Sequence, residues 1–262
     1  MMENKRIVIK VGTSTLTHKT GKLNIRKVEA LVKTIADLQN AGNKILLVSS
    51  GAIGLGMSKI GLDKRPTDTP SKQACAAVGQ CELMYMYDKL FSEYSLTVAQ
   101  VLLTKYVLDS DSRKNVENAI ESLLSYNVIP IINENDTVAI EELELEIGEN
   151  DSLSAIIAAV AKADLLVILS DIDGLFDSDP HTNRDAKLIK EVTEIDEEIE
   201  KFATGSSSSL GTGGMATKIN AAKIANGAGI DMIIMNGSKP ENLYSLIDDK
   251  KIGTIFKAKA DK

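Results

Sequence analysis

The chain has 262 residues, enough for one large α/β domain or two small ones around a substantial core. Hydrophobic residues make up 44% of the sequence and charged residues 26%, a globular composition that excludes extensive disorder. The net charge of -7 repels phosphate polymers, and no run of Lys or Arg offsets it locally, so no nucleic-acid partner is expected.

The N-terminal sequence MMENKRIVIKVGTS has no apolar targeting region, and no segment approaches the length of a membrane span. We therefore expect a cytoplasmic protein without a membrane partner. The two cysteines, Cys75 and Cys81, lack zinc-ligand spacing and are predicted to be buried, reduced thiols. Both histidines, His18 and His181, lie in polar, loop-like surroundings, so the chemistry must use Lys, Asp, Asn, Ser and backbone groups.

Short apolar runs alternate with helical patterns from end to end. The runs are rich in Val, Ile and Leu, as parallel strands buried on both faces are, and they cover residues 6–12, 44–51, 97–104, 128–133, 165–171 and 231–237. Helical patterns lie between them, at residues 24–40, 71–93, 111–126, 151–163 and 214–227. This alternation predicts an α/β fold with a mostly parallel sheet and helices on both faces.

Three segments fall outside the alternation. Residues 137–151 alternate polar and apolar side chains, which predicts a short antiparallel strand or hairpin. Residues 61–72 and 176–187 are polar and predict loops, the second of them placed to cover a ligand. We find no internal repeat and no clear linker, so a single domain of two lobes is expected.

Polar residues follow several of the predicted strands. In open α/β sheets ligands bind beyond the carboxyl ends of the strands. The first strand leads to Gly12, Thr13 and Ser14, and the later ends carry Ser49 to Ala52, Asn133 to Asp136, and Ser170 with Asp171. Asn133 to Asp136 could equally form a plain turn, but the accumulation of Ser, Asn and Asp favours a functional site.

Lys10 is the sharpest single feature, since an unpaired ammonium in a buried strand is costly. A strand-end lysine whose stem packs while its head reaches water is the alternative. The adjoining Gly12 favours function, because it lets backbone N–H groups approach an anion closely. Asn150 and Asp151, in turn, precede an apolar helix and could be ordinary N-terminal caps.

The stretch GTGGMATKINAAK, residues 211–223, has the glycines of a phosphate-binding loop. It fails the P-loop pattern, because Lys218 follows Thr217 rather than a glycine. It matches G-x-G-x-x-A of dinucleotide-binding folds, but no acidic residue follows at the required place. A site with two lysines, carboxylates and N–H-rich loops, and no histidine, suits phosphoryl transfer.

Together these stretches resemble the amino acid kinase family over nearly the whole chain. The resemblance rests on VIKVGTSTLT, LLVSSGAIGLG, SKQACAAVGQ, QVLLT, VIPIINENDTVA, GENDSLSA, LSDIDGLFDSDP, LGTGGMATKINAA and GIDMIIMNGSKP. Members that act on aspartate or N-acetylglutamate usually have Lys-x-Gly-Gly in the first motif, whereas this chain has Lys-Val-Gly-Thr. INEND followed by G-x-ND is similar to the members that phosphorylate free glutamate.

The resemblance implies a three-layer αβα sandwich with about eight strands, an amino-acid lobe over roughly 1–160 and a nucleotide lobe over roughly 161–262. It implies that Lys10 and Lys218 bracket the transferred phosphoryl group and that Asp151 holds both lysines. The positions that match amino-acid-binding residues are Ser50, Gly51, Ala52, Asp136 and Asn150. Those that match nucleotide-binding residues are Lys10, Gly12, Thr13, Ser14, Ser170, Asp171, Thr212, Gly213, Gly214, Met215, Ala216, Thr217 and Lys218.

The implied activity is phosphorylation of the γ-carboxylate of L-glutamate by ATP, with Mg²⁺ held mainly by the ATP phosphates rather than by a protein metal site. Feedback inhibition by proline, a role in proline synthesis and a homo-oligomer, dimer or tetramer, are implied as well. The chain departs from the family at Glu149, which is more often Asp, and it ends without the PUA domain that many bacterial members append. Alternatives are a related kinase for aspartate, N-acetylglutamate or UMP, a silent amino-acid sensor, or a dinucleotide-dependent oxidoreductase.

Overall fold

The computed structural model describes residues 4–18, 20–104, 112–138, 149–180, 182–204, 214–246, 250 and 252–259. Eight strands are found in this part of the chain, and six of them coincide with the predicted apolar runs. The strands are β1 (Arg6–Val11), β2 (Lys44–Ser49), β3 (Val98–Leu103), β4 (Ile129–Glu134), β5 (Leu165–Ser170), β6 (Glu191–Val192), β7 (Asp231–Asn236) and β8 (Thr254–Phe256).

The helices connect these strands, and all five that the sequence predicts are present. The helices are α1 (Thr13–Leu16), α2 (Ile25–Asn40), α3 (Ala52–Ile60), α4 (Thr69–Ser92), α5 (Arg113–Ser125), α6 (Glu149–Val160), α7 (Glu197–Thr204) and α8 (Met215–Gly227), with a 3₁₀ helix at Pro240–Leu246. Local signals set the starts of two of them, since Asn24 and Asp68 accept backbone N–H groups of α2 and α4 as N-caps.

The strands form one sheet in the order β3-β4-β2-β1-β5-β7-β8-β6. All neighbouring pairs are parallel except β7 and β8, so the carboxyl ends of the first five strands in this order and of β7 open at the same edge. β1 lies between β2 and β5. After β1 the chain first adds strands on the β2 side of the sheet, and it later returns to add β5 on the opposite side of β1. This reversal creates a crevice at the end of β1.

Alternate residues of the strands supply two apolar clusters, one on each face. On one face Val8 belongs to a cluster with side chains of α5, α6 and α8, and on the other Ile7 and Ile9 pack with α2 and α4. Because successive strand residues point to opposite faces, one strand contributes to both clusters. The predicted three-layer αβα sandwich with a mostly parallel sheet of about eight strands is confirmed.

Several expectations need correction. The apolar stretch Ala52–Ile60 forms α3, which the sequence did not predict, and residues 69–72 of the expected loop are already the start of α4. Cys75 is buried but Cys81 is exposed, because six residues along an α-helix turn the side chain by about 240°, away from the core. The hairpin predicted at 137–151 falls mostly on residues outside those described.

Two glycines bring α3 and α4 into backbone contact. A Cβ at Gly79 of α4 would stand 1.7 Å from the carbonyl oxygen of Ala52, and one at Gly56 of α3 would stand 1.8 Å from that of Cys75. These separations are far below any van der Waals contact, so both positions need glycine. The position of α4 relative to the turn at Gly51 and Ala52 therefore depends on this contact.

We predict that Gly79→Ala lowers the free energy of unfolding by about 1–3 kcal/mol, because overpacking forces the two helices apart. Chemical denaturation measures the change. Gly227→Ala is the matched control, since the last residue of α8 has nothing within 4 Å of an added Cβ, and it should be neutral or stabilising by up to about 1 kcal/mol. Equal losses in the two variants would contradict the packing account.

Candidate active site

The candidate active site lies at the carboxyl ends of the central strands. Lys10 is the penultimate residue of β1, in register with Val48 of β2 and Ile168 of β5. It shares a sheet face with Val8, which packs against α6 and α8, so its side chain extends toward the first turns of those helices. The lysine side chain is 12% exposed, and burial of its stem leaves a defined position for the ammonium group.

Asp151 joins Lys10 to Lys218. The carboxylate lies in the first turn of α6 and has no exposed surface. Its Oδ1 is 2.7 Å from the Nζ of Lys10, and its Oδ2 accepts a hydrogen bond from the Nζ of Lys218 at 3.2 Å. Thr217 of α8 donates to the same Oδ2 at 2.8 Å, so β1, α6 and α8 meet at one side chain.

The charges of the two lysines determine the protonation of Asp151. Burial opposes ionisation, but the ammonium groups of Lys10 and Lys218 outweigh it, and the hydrogen bond from Thr217 adds to their effect. The pKa of the carboxyl is therefore held below its ordinary value of 3.8. Asp151 is an anion at neutral pH, and it allows two cations to lie close together in a site largely removed from water.

A second polar cluster lies beside this ion-paired group. The Nδ2 of Asn150, next to Asp151 on α6, donates to the Oγ of Ser50 at 2.7 Å and to the Oδ1 of Asn133 at 3.1 Å. The Nδ2 of Asn133, at the end of β4, donates in turn to the Oε1 of Gln80 at 2.9 Å. Four polar side chains from different elements thus form a continuous chain of hydrogen bonds.

The other residues matched to amino-acid binding surround this cluster. Gly51 adopts a φ of 109° and caps α3, a conformation that favours glycine, and Ala52 is the first residue of that helix. The backbone N–H of Ser50 donates to the carbonyl of Val11, which ties the end of β2 to β1. Asp136 lies half-buried in the turn after β4.

The residues matched to nucleotide binding lie along the same edge. Gly12 precedes α1, and a Cβ there would stand 3.6 Å from the Nζ of Lys10, so the short loop closely approaches the ammonium. Thr13 and Ser14 follow it and are exposed. Ser170 ends β5 and is buried, with its Oγ donating to the exposed Asp171 at 3.2 Å.

The start of α8 supplies the remaining matched positions. Gly214 precedes the helix, and among the described residues no side chain caps the first N–H groups of α8. Met215 is buried, Ala216 is exposed, and Thr217 and Lys218 reach Asp151 as described. Thr212 and Gly213 lie outside the described residues.

The structure brings together Lys10, Asp151 and Lys218, and separately Ser50 and Asn150. It also adds Asn133 and Gln80, neither of which was assigned a specific role from the sequence. Asn133 was visible only as a polar residue at a strand end. Gln80 had one further signal, since it interrupts the buried face of α4 formed by Ala76, Leu83 and Tyr87.

Two features are absent from the described part of the chain. No group of three or more His, Cys, Asp or Glu side chains there is arranged to hold a metal ion. Likewise, none of the described helices combines the length and apolarity that crossing a bilayer requires.

Two paired lysines beside glycine-containing loops, at the strand ends of a mostly parallel sheet, define a class of phosphoryl-transferring α/β proteins. The sequence model of the amino acid kinase family matches residues 5–236, and the chain belongs to this family.

Curated relatives cover almost the full chain. A glutamate 5-kinase from Clostridium perfringens is 53% identical over 262 residues, which is 99% of this chain and 97% of the relative. A glutamate 5-kinase from Listeria monocytogenes is 50% identical and covers 100% of this chain and 96% of the relative.

Solved structures agree on the fold. A carbamate kinase from Giardia lamblia bound to AMP-PNP superposes with a TM-score of 0.66 at 18% identity, over 99% of this chain and 100% of its own. A UMP kinase from Bacillus anthracis superposes with a TM-score of 0.65 at 16% identity, over 98% of each chain. At these identities the likeness concerns the fold alone.

We predict that Asp151→Asn lowers the free energy of unfolding at pH 7 by about 3–5 kcal/mol, because two buried cations lose their counter-charge. Since the pKa of Asp151 is lowered by folding, its stabilisation is present above pH 3.8 and is lost as the pH falls below that value. Denaturant titrations of both proteins as a function of pH measure the difference.

The matched control is Glu194→Gln, which removes the charge from an exposed pair with Lys259 and should cost less than about 1 kcal/mol. A variant of Asp151 as stable as the wild type at pH 7 would be incompatible with a carboxylate that holds both lysines.

Proposed function

We propose that this protein transfers the γ-phosphoryl group of ATP to the γ-carboxylate of L-glutamate, giving L-glutamyl 5-phosphate and ADP, the first step of proline biosynthesis. The ion pairs of Lys10 and Lys218 with Asp151 are the observation that supports phosphoryl transfer as the reaction type. The glutamate 5-kinases that are 50% and 53% identical over nearly the whole chain support the acceptor.

The acceptor chemistry explains why the site can work without histidine. A glutamate γ-carboxylate has a free pKa of about 4.3, so it is ionised at neutral pH and needs no general base. One of its oxygens forms a bond to the γ-phosphorus while the bond to the β–γ bridging oxygen breaks, and ADP leaves with that electron pair. The main obstacle is repulsion between two anions, which Lys10 and Lys218 offset from opposite sides.

Asp151 acts as a positioning residue in this reaction. Its two oxygens hold one ammonium each, so the lysines keep a fixed separation before the substrates bind. The ionised Asp151 pairs with both ammonium groups, and these serve as cations for the phosphoryl group. The carboxylate itself need not contact the transferred group.

The phosphates fit the backbone groups on either side of the ion-paired group of Lys10, Asp151 and Lys218. No side chain in the described part of the chain caps the first N–H groups of α8, and the Gly12 loop lies next to the Lys10 ammonium, so both can receive phosphate oxygens. We assign Gly12 to Ser14, Ser170, Asp171 and residues 212–218 to the nucleotide. When bound, Mg²⁺ would be held mainly by the ATP phosphates and would supply positive charge that offsets part of theirs.

We assign the amino acid to the side of the ion-paired lysines that faces away from the nucleotide residues. Ser50, Gly51, Ala52 and Asn150 meet where β2, α3 and α6 approach, and Asp136 lies in the neighbouring turn. We accordingly assign an amino-acid lobe to roughly 1–160 and a nucleotide lobe to roughly 161–262. Substitutions at Ser50 or Asn150 should then alter the KM for L-glutamate, and those at Ser170 or Asp171 the KM for ATP.

The direct test is ATP-dependent formation of an acyl phosphate from L-glutamate, trapped as the hydroxamate. Lys10→Ala and Lys218→Ala should each lower turnover by about two decades, because each removes a charge worth roughly 3 kcal/mol from a desolvated site. Lys223→Ala is the matched control, since this lysine lies on α8 as well but pairs with Glu200 at the surface. It should leave turnover unchanged.

A panel of aspartate, N-acetylglutamate and UMP separates the proposal from the related kinases. Faster turnover of one of these acceptors than of L-glutamate would refute the assigned substrate. No turnover of any acceptor would favour a silent sensor, and near-normal turnover in either site-lysine variant would refute the assigned roles.

The proposal includes a cytoplasmic homo-oligomer, dimer or tetramer, that is inhibited by proline. An exposed apolar stripe on α4, which includes Val78, Cys81 and Tyr85, supports self-association. Sedimentation of the wild type and of Tyr85→Lys would detect it, and a monomeric wild type would refute it. Addition of L-proline to the turnover assay tests the inhibition directly.

A further inference from the structure

Gln80 is a buried polar residue that joins the proposed amino-acid site through its hydrogen bond with Asn133. It is 9% exposed and lies on α4 directly after Gly79, whose backbone contact with Ala52 fixes α4 against α3. The glutamine is therefore held by the same packing that positions the turn at Gly51. A polar amide among apolar side chains is costly unless its hydrogen bonds serve a purpose.

Among the described residues Gln80 makes one side-chain hydrogen bond, as an acceptor, and its Nε2 is buried without a partner there. Its Oε1 accepts from the Nδ2 of Asn133, which orients the Asn133 amide so that its Oδ1 faces Asn150. The Oδ1 of Asn133 can only accept, so it selects the Nδ2 end of Asn150. The orientation of one amide thus determines that of the next, from α4 through β4 to α6.

The series of hydrogen bonds from Gln80 ends at Asn150 and determines which of its atoms is left for a ligand. Its Nδ2 donates to Asn133 and to Ser50, so both N–H groups are occupied. Its Oδ1 is buried and has no hydrogen-bond partner among the described residues. A buried acceptor without a partner costs free energy, and a ligand that donates a hydrogen bond there removes this cost. The α-ammonium of an amino acid is such a donor.

We propose that Gln80 is a positioning residue that, through Asn133, fixes the amide of Asn150 with its oxygen available to the α-ammonium of the substrate. This inference rests on the proposed function. Without the Gln80 oxygen the Asn133 amide can rotate, and Asn150 can then turn an N–H group toward the ammonium, where it repels a cation. Gln80 thereby contributes to selection of an amino acid over a simple dicarboxylate.

The test is Gln80→Met, which keeps the length of the side chain and removes the amide. The KM for L-glutamate should rise about tenfold, because one buried acceptor interaction is lost. The KM for ATP should not change, nor should the inhibition constant of glutarate, a dicarboxylate without the α-ammonium group. Steady-state kinetics with glutarate as a competitive inhibitor of L-glutamate measure all three constants.

Two further variants distinguish positioning from folding. Gln39→Met is the matched control, because Gln39 is another buried glutamine whose amide bonds Asn127 and the backbone of Ile45, away from the site. It should lower the melting temperature without altering the KM for L-glutamate. If Gln80→Met does not fold, Gln80→Asn replaces it, since an amide shorter by one methylene cannot reach Asn133 and should give the same kinetic change.

An unchanged KM for L-glutamate in the Gln80 variant would overturn the inference, and so would an equal rise in the glutarate inhibition constant, which indicates general loosening of the pocket. The wild type separates these results from failure of the proposed function. If the wild type does not phosphorylate L-glutamate, the proposed function fails; if it does, only the role of Gln80 is judged.

Discussion

The structure depends on one constraint, a carboxylate with no exposed surface that stays ionised. Asp151 can occupy this position only because Lys10 and Lys218 bind its two oxygens. Buried ion pairs rarely add to stability, since desolvation cancels much of the attraction. A core built for stability alone would place apolar side chains here. The fold instead brings β1, α6 and α8 to one point, and the reaction accounts for that arrangement.

Helix α4 is the second structural support of the site. Gly79 lets it touch α3, and its buried face then extends two polar groups to the strand ends. Gln80 bonds Asn133 at the end of β4, and the hydroxyl of Tyr87 lies 2.9 Å from the Oγ of Ser49 at the end of β2. Burial raises the pKa of the Tyr87 phenol, which keeps it neutral. The side of the site proposed to bind the amino acid is thus supported by uncharged groups.

Hydrophobic periodicity predicted the fold because the sheet is buried on both faces, which makes each long strand a continuous apolar run. The short strands β6 and β8 carried too little pattern to be seen. Lys10 could be identified from the sequence as a candidate site residue for the opposite reason, because a charged side chain is unusual within an apolar strand. Asp151 resembled an ordinary helix cap, and its role depends on contacts with residues 141 and 67 positions away in the chain.

Gln80 shows where prediction from the sequence ends. Its family motif was recognised, but a glutamine in a helix has many possible partners, and only the packing of α4 on α3 directs it to Asn133. The same holds for Cys81, whose exposure depends on which face of α4 the core covers. Local pattern determines the elements, whereas the contacts between distant residues decide which polar groups meet.

The most direct test of the central claim is a double-mutant cycle for turnover between Lys10→Ala and Lys218→Ala. If Asp151 makes the two lysines one unit, loss of either disrupts the other, so the double variant should lose little more activity than a single one. Independent lysines would give a double variant whose loss is the product of the two single losses, and that result would contradict the account.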